Sequence, residues 1–210
     1  MNARETILNS VRNALKRGPL DDARCTELDA RVPQHTRPGQ DEDLVARFVR
    51  KFESRAGTTQ RVATLADVPA AVEAYRAAKD LPARAAVGAA LKDLVWPSSL
   101  AIHHGAAGIG ETMAVSQAIA GIAEPGSLML AAGPGSPTTH NFVPDDHVVV
   151  LETSRIVGHF EEAWAVLRAR PEGMPRATNI ISGPSRTADV EQTIQLGAHG
   201  PRRVHVIIVG

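Results

Sequence analysis

Residues 148–151, VVVL, and residues 204–209, VHVIIV, are the most apolar runs of the chain. They are far too short to span a bilayer. Both are rich in β-branched residues and nearly continuous, as strands buried on both faces should be. With their flanks they predict strands over His147–Glu152 and Arg203–Val209. Strands with two apolar faces need a layer on each side. Working outward, short β-type runs alternate with helical stretches. Strands are expected over Gln60–Leu65, Ala85–Gly88, Leu100–His103, Ser127–Ala132 and Ala177–Ile181. Helices are expected over Asp41–Ala56, Val68–Lys79, Ala89–Leu94, Phe160–Arg170 and Ala188–Leu196. This alternation implies an α/β fold, an open and mainly parallel sheet with flanking helices.

The N-terminal part reads differently. Ala3–Lys16 is an amphipathic helix with Ile7, Leu8, Val11 and Leu15 on one face. Residues 18–40 contain Pro19, Pro33, Pro38 and Gly39 without sustained periodicity, which reads as a linker or extended arm. The expected organisation is a helical appendage over 1–39 and an α/β domain over 40–210.

The chain has 210 residues, enough to bury a core without a disulfide or metal staple. Lys+Arg and Asp+Glu are both 23, so the formal net charge is zero. No block is basic enough to track a phosphate backbone, so nucleic acid is not an expected partner. A zero net charge does little to resist self-association, which leaves a homo-oligomer open. The single cysteine, Cys25, excludes an intramolecular disulfide and a cluster held by four thiolates of this chain. No secretory signal or membrane span is read, so a cytoplasmic protein is expected.

Four stretches offer chemistry. In ISGPSRTAD, residues 181–189, Gly183 permits a tight turn and Ser185 or Thr187 suits a helix cap. With Arg186 beside it, such a helix start is an anion site for a carboxylate or phosphate. The alternative is that these residues only cap the helix and pair locally. In GAAGIGET, residues 105–112, glycines including Gly108 follow a strand, either as a ligand loop or as a plain turn. In IAEPGS, residues 122–127, Glu124 sits among small residues and is a candidate base or nucleophile, or a solvated turn carboxylate. In GPGSPTTHNFVP, residues 133–144, Thr138, Thr139, His140 and Asn141 offer hydroxyls, an imidazole and an amide. The histidine spacings support no metal site, because no H-x-x-x-H occurs and the adjacent His103 and His104 point to opposite faces of a strand.

These stretches stand in a recognisable chain order. Residues 116–167, with ISGPSRTADVEQTIQLGAHGPRRVHVIIVG at 181–210, resemble the lactate utilisation domain family. Pro125 stands where that family more often carries a threonine. The resemblance implies a fold similar to the group of ribose-phosphate isomerase, glucosamine-phosphate deaminase and coenzyme A transferase. It also implies a cluster-free subunit of a multi-protein system that oxidises L-lactate to pyruvate. The iron–sulfur clusters would sit in cysteine-rich partner proteins, with no cofactor bound by this chain.

On this reading the glycine loops converge at one end of the sheet. Arg186, with Gly183, Ser185 and Thr187, holds a carboxylate, and Glu124 or His140 handles a proton. Thr138, Thr139, Asn141 and Gly108 complete the binding site. Two alternatives remain open: an independent enzyme of the same fold group acting on a sugar phosphate or acyl-coenzyme A, and a purely structural assembly subunit.

Overall fold

The computed structural model describes residues 2–16, 18–31, 42–187 and 195–210. The chain divides into two units, Met1–Pro38 and Gly39–Gly210. In the first, α1 (Ala3–Leu15) starts at Asn2, whose side chain accepts from the Glu5 amide while Glu5 reaches back to the Asn2 amide. Its apolar residues Ile7, Leu8, Val11 and Leu15 are exposed.

A second helix, α2 (Asp22–Ala30), stands where an irregular arm was expected. It lacks an apolar face, which is why periodicity missed it. Asp21 caps it by accepting from the Arg24 amide at 2.7 Å, and Glu27 pairs with both Arg24 and Arg31 along one side.

The second unit is built on six parallel strands. They are β1 (Thr58–Val62), β2 (Arg84–Val87), β3 (Ala101–His103), β4 (Met113–Gln117), β7 (Asp146–Glu152) and β12 (Arg203–Val209), in the spatial order β1-β12-β7-β4-β2-β3. The two apolar runs are the adjacent strands β7 and β12, paired from Arg203–Asp146 to Val209–Glu152. Val148 and Val150 pack on one face with α4 (Val68–Ala78). Val149, Leu151, Val206 and Ile208 pack on the other with Phe48 and Phe52 of α3 (Leu44–Glu53). The helix expected over Ala89–Leu94 is a single 3-10 turn, Ala89–Leu91.

Two excursions of the chain, one between β4 and β7 and one between β7 and β12, build a second sheet. Its strands are β5 (Ala120–Ile122), β6 (Ser127–Ala131), β8 (Ile156–Val157) and β9 (Thr178–Ile181), in the order β8-β5-β6-β9. The strands expected at Ser127–Ala132 and Ala177–Ile181 therefore exist but lie outside the parallel sheet. The reason is local: β5 and β6 are joined by a turn too short for a crossover, so they pair antiparallel. β6 then pairs antiparallel with β9. This sheet packs on α5 (Phe160–Arg168) through Ile122, Met129, Ala163 and Leu167.

The helix expected over Ala188–Leu196 meets a different outcome. Residues 188–194 lie outside the described residues, and Gln195–Leu196 is a strand, β11, paired antiparallel with β10 (Arg186–Thr187). Among the described residues, no helix is long and apolar enough to cross a membrane.

Candidate functional site

β2 is followed by β3 at the sheet's edge, whereas β4 is placed on the opposite side of β2 and leads on towards β7. The direction of winding therefore reverses between β2 and β4. Open α/β sheets place ligands in the crevice outside the carboxyl ends of strands at such a switch. A cavity of about 1180 Å³ lies there. Ala89, just beyond β2, and Gln117, the last residue of β4, form its floor. Gly88 brings the walls close: a Cβ there would stand 3.3 Å from the Gly135 carbonyl, which accepts from the Ala89 amide at 2.8 Å.

Three arginines line this cavity. Arg155 Nε is 2.9 Å from Glu152 Oε1, which also accepts from Gln117 Nε2 at 3.0 Å. Arg170 Nε is 3.5 Å from Glu172, and its buried Nη1 has no hydrogen-bond partner. Arg176 forms no ion pair among the described residues. The sequence reading singled out none of the three. Of its candidate residues, Thr138 alone lines this cavity.

The other loop residues lie deeper or elsewhere. Thr139 Oγ1 accepts from the Ala107 amide at 3.0 Å. His140 is fully buried and donates from Nε2 to the Gly105 carbonyl at 2.9 Å. Burial lowers its pKa, outweighing the Gly105 bond, so the ring is neutral. Its Nδ1 and the Asn141 Oδ1 are buried without partners. Gly108 is exposed, with nothing within 4 Å of a Cβ built on it.

In the Gly183–Thr187 stretch, Arg186 and Thr187 are strand. Ser185 N donates to the Pro201 carbonyl at 2.9 Å, and the Ser185 carbonyl accepts from Gly197 at 3.0 Å. These bonds tie the stretch to its own return segment, where Arg186 and Thr187 pair antiparallel with Leu196 and Gln195. Gly183 has φ +105°, and a Cβ there would lie 2.6 Å from the Arg55 carbonyl. Arg186, Arg55 and Ser182 border a cleft of about 410 Å³.

The glycine loops meet, but along a face of the sheet rather than at one end. A Cβ on Gly200 would be 3.4 Å from Ser185 Cβ and 3.9 Å from the Asn141 carbonyl, so these two segments come together there. Ser185 is bonded just ahead of the amino end of β12, whereas Gly135 is bonded just past the carboxyl end of β2. Glu124 stands apart from His140, with no hydrogen bond or ion pair joining them. It lies in the β5–β6 turn, is half-exposed, and accepts from His159 Nδ1 at 3.2 Å.

Two further clusters were not read from the sequence. Glu111, nearly buried, accepts from Arg84 Nε at 3.2 Å and His103 Nε2 at 3.0 Å. Burial pushes its pKa up, but His103 and Arg84 together hold it below the usual carboxylate range. Asp146, fully buried, accepts from Tyr75 at 2.7 Å and from Arg203 through two bonds of 2.6 Å. Ion pairs between residues this far apart in sequence carry no local signal.

The LUD domain family matches residues 111–209. An uncharacterized protein of Neisseria meningitidis serogroup B is 39% identical over 94 residues, 45% of this chain and 40% of that protein. A protein named lactate utilization protein C from Geobacillus sp. (strain WCH70) is 33% identical over 91 residues, 42% of this chain and 38% of its own length. Its namesake from Exiguobacterium is 31% identical over 117 residues, 54% of this chain and 51% of that protein. The chain thus spans about half the length, or less, of these curated relatives. The crystal structure of a DUF162 family protein from Deinococcus radiodurans shares the fold, with a TM-score of 0.58 at 19% identity, over 82% of this chain and 100% of that one. From Glu111 at the mouth of β4 to Val209 at the end of β12, the chain matches the LUD domain family, and it is similar to proteins named lactate utilization protein C.

Proposed function

We propose that this chain acts in lactate utilisation, as the cluster-free component of a multi-protein system that oxidises L-lactate to pyruvate. The observation that carries this reading is the similarity, over about half the chain, to proteins named lactate utilization protein C. The cysteine count adds to it. Oxidising L-lactate removes two electrons and two protons from C2 and its hydroxyl, and one cysteine cannot supply the thiolates of an electron-storing cluster. In this reading the electrons pass to cysteine-rich iron–sulfur partners in the cytoplasm, and this chain binds no cofactor.

The cleft bordered by Arg186, Ser182 and Gly183 suits the lactate carboxylate. Glu124 suits proton removal better than His140. Glu124 is half-exposed, and its turn is tied to the Ser182 segment by the 2.5 Å contact between the Ser127 and Ser182 hydroxyls. His140 is sealed in the core with Nε2 already engaged.

Tagged anaerobic purification from the native host tests this reading. The expected result is a brown preparation with cysteine-rich partners whose visible absorption changes when L-lactate is added. A colourless protein recovered alone, under conditions that preserve a control complex, would overturn it.

A further inference from the structure

We infer that the cavity at the switch between β2 and β4 is a binding site for a carboxylate-headed organic anion much larger than lactate. Size carries the first half of this assignment. At the ~30 Å³ a water takes up in the liquid, lactate's heavy atoms fill no more than about 180 Å³. The cavity offers about 1180 Å³, beyond even the ~300–1,000 Å³ typical of small-molecule sites. Lactate alone would leave most of it as water.

The lining carries the second half. Ala89, Ile119, Ala131, Val166 and Met174 form an apolar wall for the body of a ligand. Arg155, Arg170 and Arg176 gather at the same cavity, against the two carboxylates Glu152 and Glu172 that pair with the first two. One positive charge is left over, which matches a single carboxylate rather than a phosphate dianion. Arg176 is the guanidinium without an ion pair among the described residues. Arg170 is held by Glu172, which leaves Arg176 to meet the carboxylate. The three arginines come from the turns on either side of α5, residues 155–176, and meet Ala89 and Ile119 from earlier in the chain where an open α/β sheet binds its ligands.

This assignment does not rest on the lactate reading. Its test uses the purified chain alone, so its failure leaves the capture of partners untouched, and the converse also holds. Calorimetric titrations would compare sodium octanoate, L-lactate, 1-octanol and octyl phosphate. Octanoate should bind at least tenfold more tightly than lactate or octanol, and no more weakly than octyl phosphate. Arg176→Ala should weaken octanoate at least tenfold, and Val166→Trp, which narrows the cavity from an exposed helix position, should do the same. Both positions face solvent, so unchanged melting curves will confirm that the variants are folded. Octanoate binding no better than lactate or octanol, or unmoved by both variants, would overturn the site. Tenfold tighter binding of octyl phosphate would overturn the carboxylate assignment.

Discussion

Oε2 of Glu124 lies 3.2 Å from Nδ1 of His159, across the gap between the β5–β6 turn and the start of α5. The histidine is largely buried and the carboxylate half-exposed. The ring holds the carboxylate on one side and leaves part of it open to solvent.

Glu124→Gln keeps the shape of the side chain and removes its basicity. A positioned base contributes about 10²–10⁴-fold to a proton-transfer step. Lactate turnover by the assembled system should fall at least 100-fold, while the melting temperature barely moves. Steady-state turnover of the co-purified complex would show it, and unchanged turnover would remove Glu124 from the mechanism.

Asp146 is fully buried between Tyr75 and Arg203, and Arg203 is itself partly exposed. Asp146→Ala leaves a phenol and a guanidinium without their acceptor. Breaking a buried pair in this way costs about 3–5 kcal/mol, and the exposure of Arg203 puts the expectation at the low end. Tyr75→Phe removes one hydrogen bond and should cost about 1 kcal/mol. Urea unfolding of both variants would rank them, and equal losses would contradict the bidentate arrangement.

Buried histidines set the acid sensitivity. Burial pushes His147 down to about 3 and His205 to about 4, and it lowers His140 as well. Below about 6.5 the unfolded chain takes up protons on these rings while the fold keeps them neutral. The unfolded state therefore binds more protons, and stability falls as pH drops from about 6.5 towards 4. His147 and His205 each contribute a slope of up to about 1.4 kcal/mol per pH unit in that window, and His140 adds in the same direction. Unfolding free energies at pH 7, 6 and 5 would reveal the slope, and His205→Gln should reduce it by one ring's share. A flat profile across the window would contradict the neutral burial of these rings.

Gly183→Ala should destabilise the fold by about 1–3 kcal/mol, because φ is +105° and the new Cβ would stand 2.6 Å from the Arg55 carbonyl. Gly108→Ala meets open space and should stay within about 0.5 kcal/mol of the parent. Thermal melts of the pair would compare them directly, and equal effects would mean that Gly183 is not held where the structure has it.

Strands β7 and β12 were legible because their nearly continuous apolar runs, VVVL and VHVIIV, leave no polar face, and a doubly covered strand fits that pattern. Helices α1, α3, α4 and α5 were legible from their apolar stripes. Strand β4 was not. Its residues Met113–Gln117 include a single β-branched side chain and follow a glycine-rich turn, yet it pairs with β2 and β7 at the centre of the sheet. Its strand state comes from those neighbours' hydrogen bonds, not from its own propensity. Glu124, His140 and the Gly183–Thr187 stretch were visible as chemistry, but not that Glu124 pairs with His159 while His140 bonds to Gly105, nor the ribbon that Arg186 and Thr187 form with Gln195 and Leu196. The sequence by itself determined an α/β chain with two buried parallel strands at its heart and a single cysteine. Only the tertiary structure decided which strands left for the second sheet, and that Arg155, Arg170 and Arg176 share one cavity. Periodicity reports the local partition between water and core, whereas strand pairing, and the cavity that the arginines share with Ala89 and Ile119, depend on contacts between residues far apart in the chain.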